Sequence, residues 1–218
     1  MKHWLLLSLV GATLFAQERP IVLKTAILYD GNGKTLHNTI VVVEGSKIAR
    51  LGGTVPGNAI TYDLATLTVT PGWIDTHAHI VNHFDDGNRL SGSDEPVSQA
   101  SWHIAENSVA TLNAGFTTIQ SPGAIEDKDL RDAVARGLML GPRILTSLQA
   151  LTETSGDATV MRQLVRERKQ QGADFIKLFA SKSIREGGQD YADASAGGSR
   201  VWRSEIAGAA HDRACALG

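Results

Sequence analysis

The stretch Thr70-Pro71-Gly72-Trp73-Ile74-Asp75-Thr76-His77-Ala78-His79-Ile80 constrains this chain more than any other. Pro71 has no amide donor and Gly72 tolerates unusual dihedrals, so the backbone breaks there. Trp73 and Ile74 then restart an extended, apolar run. Residues two apart in a strand share a face, so the spacing places His77 and His79 side by side at the strand's end. Two neutral imidazoles in that arrangement suit a borderline cation such as zinc. In a barrel of parallel strands, the carboxyl ends of the strands are where reacting groups collect.

The segments on either side of this stretch have different rhythms. Ile21 to Tyr29 is β-branched and apolar and runs into Asp30-Gly31-Asn32-Gly33, a turn signal. Ile40–Val43 and Ile48–Leu51 follow, separated by Glu44-Gly45-Ser46-Lys47. Gly31 and Gly33 do not make a dinucleotide fingerprint, because no helix opens after them and the third glycine is missing. We expect a small β-sandwich-type domain over residues 17–68. From Trp73 onward, strand-like runs (Trp73–Thr76, Phe116–Gln120, Arg143–Ser147, Phe175–Phe179) alternate with helical patterns. The helices expected are Gln99–Asn113, Asp127–Leu140 (stopped by Gly141-Pro142), Thr159–Gln171 and Trp202–Leu217. Such alternation predicts an α/β fold of parallel β/α units over residues 69–218. A closed β/α barrel needs eight strands and four are counted, so the expectation is the N-terminal half of a (β/α)8 TIM-like barrel, with a C-terminal half missing.

A second chemical candidate lies in Ala173-Asp174-Phe175-Ile176-Lys177-Leu178-Phe179-Ala180-Ser181. Lys177 interrupts an apolar run, and burying an ammonium is costly. Burial favours the neutral amine, which can add carbon dioxide to become a carbamate, an anionic ligand able to bridge two metals. The same spacing also fits a lysine whose stem packs and whose head reaches water at the strand end.

These segments together resemble the amidohydrolase superfamily. Pro71 to His79 is similar to the barrel entry of that family, and Ile176 to Ser181 to its fourth-strand lysine segment. Ser181-Lys182-Ser183-Ile184-Arg185-Glu186-Gly187-Gly188 resembles a loop of the Xaa-Pro dipeptidase and imidazolonepropionase-like branch. Ala114–Gln120 and Gly141–Leu145 are similar to the second and third strands. The resemblance spans residues 21 to 190 and fades after Tyr191.

By that resemblance, His77 and His79 hold one divalent metal, zinc for preference, and carboxylated Lys177 bridges it to a second. An activated water then hydrolyses an amide-like C–N bond in a dipeptide, cyclic amide or other small substrate. The histidines expected on the fifth and sixth strands and the aspartate on the eighth have no counterpart here. His211 falls on a helix pattern and does not replace them. A non-catalytic remnant or interaction module, pairing through an open sheet edge with itself or another chain, is the competing reading.

Other residues have smaller roles. Asp75 is a candidate to orient an imidazole, or a filler of the barrel floor. Arg185 and Glu186 are candidates to meet a substrate at the site's mouth. His83, Asp85 and Asp86 read as a solvated loop, His37 and His103 as structural or exposed, and Arg162, Arg166, Arg168 and Lys169 as a solvated helix face. Lone Cys215 excludes an internal disulfide. A formal charge of -2 and a pI near 6.4 give no electrostatic case for nucleic acid. Lys2 and His3 before the apolar run Trp4–Ala16 read as a signal peptide over residues 1–16, implying export to a periplasm without a lasting membrane span.

Overall fold

The computed structural model describes residues 19–84, 87, 89–90 and 95–179. The signal segment, Asp85, Asp86, Arg185, Glu186, His211, Cys215 and the helix expected at Trp202–Leu217 lie outside the described residues. The chain divides into two compact units, one ending at Pro71 and the other beginning at Gly72.

The first unit is one four-stranded sheet in the order β3-β2-β1-β4. Its strands are β1 (Ile21–Tyr29), β2 (Thr35–Glu44), β3 (Lys47–Leu51) and β4 (Ile60–Val69). The tight turns read from glycine and asparagine join β1 to β2 and β2 to β3 as antiparallel pairs. β4 lies parallel to β1 on its other side, with Ile21 opposite Ile60. Val22 and Val42 are fully buried, and Leu28 and Val41 nearly so. The second layer that a sandwich requires is not seen among the described residues of this unit. The described residues of this unit give one sheet.

The second unit alternates strands and helices: β5 (Trp73–Asp75), α1 (Val97–Asn113), β6 (Phe116–Ser121), α2 (Asp127–Ala135), β7 (Arg143–Thr146), a 3-10 turn (Glu153–Ser155) and α3 (Ala158–Gln170). The three strands form a parallel sheet in chain order. Parallel neighbours need a crossover connection, and α1 and α2 supply it. Ile80, Ile104, Ile119, Leu130 and Ile144, drawn from both helices, two strands and the segment after β5, form one core. Each buried aliphatic side chain contributes about 1.5–3 kcal/mol. Gly72 is fixed by close approach: a Cβ there would lie 2.1 Å from the Thr117 side chain. The aromatic ring of Trp73 meets that of Phe116 edge-on at 5.5 Å.

Three expectations need correction. Helix α2 ends at Ala135, not Leu140, because Gly137 adopts a φ of +70° that terminates the helical turn before Gly141-Pro142 is reached. Residues 175–179 form no ladder strand. β7 stops at Thr146, Leu148 takes a φ of +55°, and the chain from Asp174 onward pairs instead with Leu151 through a lone parallel bridge to Leu178. Arg168 is not merely solvated: its guanidinium donates to the carbonyl and side-chain oxygens of Gln149, tying α3 to the loop after β7. Asp157 caps α3 by accepting from the backbone N–H groups of Thr159 and Val160. No helix of the described residues is long and apolar enough to cross a membrane.

Candidate metal centre

His77 and His79 follow β5 rather than sitting on it. The strand ends at Asp75, whose carboxylate accepts a 2.9 Å hydrogen bond from the His77 backbone N–H. Asp75 therefore shapes the bend that leads into the histidine pair, and its carboxylate is engaged by main chain rather than by an imidazole. Pairing with the sheet resumes one residue later, where Ala78 N–H donates to Gln120 O at 2.9 Å. This bond anchors the residue between the two histidines to the carboxyl end of β6. The His77 and His79 rings lie 5.2 Å apart at 57°, both exposed.

His79 titrates below the ordinary imidazole range. Partial burial is the main cause, followed by the positive charge of His77 and then that of Lys177. Lys177 is the smallest of the three causes. A suppressed proton leaves an imidazole lone pair available, as ligation requires. Lys177 is half-buried, between the two environments its apolar run allowed. Its backbone carbonyl accepts from Leu151 N–H at 2.9 Å, and its ammonium lies 5.0 Å from the Phe179 ring centre. His77 and His79 thus stand as two adjacent imidazoles, with the proton of His79 suppressed.

A buried polar network supports the strand ends here, and sequence reasoning did not find it. Asp127, fully buried at the start of α2, accepts hydrogen bonds from Ser121 Oγ at 2.9 Å and Thr146 Oγ1 at 3.3 Å. Ser121 Oγ in turn accepts from Ile80 N–H at 3.3 Å, and Thr146 Oγ1 accepts from Leu148 N–H at 2.9 Å. Burial pushes the Asp127 carboxyl up to about 6, against the opposing effect of the two hydroxyl donors. Asp174 extends the network: its carboxylate accepts from Thr146 N–H at 2.9 Å and from Arg131 Nη1 at 2.8 Å. These bonds join β5's continuation, β6, β7 and the Lys177 segment beneath the candidate ligands.

A second cluster overturns the reading of His83 as solvated. His83 Nε2 lies 2.9 Å from one Glu95 oxygen, and His103 Nε2 lies 3.5 Å from the other. The two rings stack at 4.0 Å and 17°. No spacing rule links a loop residue to one on α1 twenty positions later, so the sequence offered no signal for this grouping.

The chain is similar to the enamidase of Eubacterium barkeri, at 27% identity over 157 residues, covering 68% of this chain and 36% of the enamidase. Among solved structures it resembles a Xaa-Pro dipeptidase with methionine bound in its active site (TM-score 0.74, 20% identity, covering 89% of this chain and 55% of that one). It also resembles a prolidase complexed with N-methylphosphonate-L-proline (TM-score 0.65, 26% identity, covering 79% of this chain and 50% of that one). The chain thus spans about half the length of these solved relatives and about a third of the enamidase. Residues 68–197, more than half of the sequence and including His77, His79 and Lys177, match the amidohydrolase family, and the chain belongs to that family.

Proposed function

We propose that residues 69–218 are the N-terminal half of a (β/α)8 barrel in a metal-dependent hydrolase of amide-like C–N bonds. The observation that carries this reading is the His77–His79 pair, its rings 5.2 Å apart and the residue between them bonded to Gln120 near the carboxyl end of β6. His77 and His79 would hold one divalent cation, zinc by donor type, and carboxylated Lys177 would bridge it to a second. Bound cations supply Lewis acidity and lower the pKa of a coordinated water. The chain's own contribution is to keep His79 unprotonated, to fix the turn into the pair through Asp75, and to seat the strand ends on the Asp127 network. Family membership supports amide-type hydrolysis, and the prolidase and enamidase relatives support a small substrate. The basic start and apolar run of residues 1–16 support export as part of the same proposal.

Carbon-13 NMR of the chain equilibrated with zinc and labelled bicarbonate tests the reading. A carbamate resonance that disappears in K177A is the expected result. A spectrum identical with and without Lys177 would overturn the bridging role. Hydrolysis of Xaa-Pro dipeptides and N-acyl amino acids, assayed with the same preparations, defines the substrate class.

A further inference from the structure

The His83–Glu95–His103 cluster has a hydrogen-bonding problem that protons solve poorly. His83 meets acceptors at both nitrogens, and His103 has carboxylate oxygens at longer range. His83 Nε2 faces Glu95 at 2.9 Å, while its Nδ1 lies 3.5 Å from the Val81 carbonyl. His103 Nε2 faces Glu95 at 3.5 Å, while its Nδ1 lies 3.9 Å from a Glu106 carboxylate oxygen. A neutral imidazole carries one N–H, so a neutral His83 leaves a lone pair directed at an acceptor. Protonating both rings would stack two imidazolium cations face to face at 4.0 Å.

A cation removes the conflict. With Nδ1–H of His83 directed to Val81 O, its Nε2 lone pair faces one Glu95 oxygen while His103 Nε2 lies near the other; because the rings stack, one must turn for both lone pairs to meet a single cation. Ligating histidines commonly give their other ring proton to a carbonyl or carboxylate in this way. The three ligand atoms lie within 4.8 Å of one another. Ligand atoms of a tetrahedral zinc site lie roughly 3.3 Å apart, so binding requires the side chains to draw together and one ring to turn out of the stack. The His83 and Glu95 side chains are 11% and 12% exposed, whereas His103, at 36%, leaves an approach from solvent. Two imidazoles and one carboxylate form a three-ligand set that keeps one position open.

We propose that His83, Glu95 and His103 form a second divalent transition-metal site, with zinc as its natural probe. It uses no residue of the proposed His77–His79–Lys177 centre and is independent of it. The test is zinc titration of the full 218-residue chain carrying H77A/H79A, followed by copper(II) electron paramagnetic resonance on the same protein. One remaining equivalent of bound metal, with nitrogen couplings from two imidazoles, is expected. E95Q or H103N added to that background should weaken zinc binding at least tenfold. Equal stoichiometry and affinity with and without Glu95 and His103 would overturn the site. Long-range nitrogen-15 spectra of the unmutated chain give a check that needs no variant. Zinc should shift Nε2 of His83 and His103 with both rings in the Nδ1–H tautomer; Nε2–H rings that ignore zinc would contradict the proposal.

Discussion

The molecule holds two pairs of imidazoles built by different means. His77 and His79 come from one short segment and sit exposed and tilted beside the carboxyl end of a parallel sheet. His83 and His103 come from a loop and a helix and stack around a mostly buried carboxylate. The first pair gains its position from backbone: Asp75 on the His77 amide, Ala78 on Gln120, and the Asp127 network below. The second gains its position from side chains meeting one another. A site fixed by main chain survives the loss of any one ligand. A site fixed by its own ligands loses geometry and affinity together.

The largest effect expected follows from the network under the first pair. D127A leaves the buried hydroxyls of Ser121 and Thr146 without their shared acceptor and opens a cavity. Urea denaturation should show a loss of about 2–4 kcal/mol, whereas D127N, which keeps the shape and one acceptor, should lose much less. Where the D127A chain remains folded, zinc should weaken at His77 and His79 and hold at His83 and His103. Equal weakening at both pairs would dissolve the distinction between them.

Next in size is G72A. The new methyl group would collide with Thr117, and overpacking of this kind costs about 1–3 kcal/mol. The strand leading to His77 and His79 should shift, lowering the melting temperature. T117A/G72A should recover most of the loss, because the obstructing side chain is gone.

Asp127 also sets a pH dependence. Its folded carboxyl, at about 6, binds a proton more readily than the unfolded one at 3.8. The folded state therefore holds more protons across that window. Its contribution to stability is fully present below about pH 3.8 and is lost as pH rises through about 6, by an amount on the order of 3 kcal/mol. Denaturation of D127N relative to the unmutated chain, measured from pH 4 to 7, should lack this component. The smallest effect expected is that of E106Q, which removes only an outer partner of His103. It should weaken zinc at the second pair by about tenfold or less and leave the first unchanged.

The same contrast explains how much the sequence revealed. The run Ile21–Tyr29 and its glycine turn, and the helical spacing of Trp102, Ala105, Val109 and Leu112, are local patterns, and the structure has β1 and α1 there. His77 and His79 were legible because two residues in one segment share a local geometry. Strand β4 was not legible as β1's parallel neighbour, since that pairing is made across forty residues and β4 is largely exposed. The segment around Lys177 reads as a strand in isolation, but a strand needs a neighbour, and the turn at Leu148 takes β7 away. Asp127 reads as an ordinary acid in the first turn of a helix. Its burial depends on Ser121 and Thr146, which arrive from two different strands.

The central claim is that His77, His79 and Lys177 belong to one metal centre. Zinc titration of the E95Q/H103N chain, against the same chain carrying H77A/H79A or K177A in addition, tests it most directly. The account predicts zinc binding in the first, its loss with H77A/H79A, and its weakening with K177A. Identical titration curves for all three proteins would contradict it.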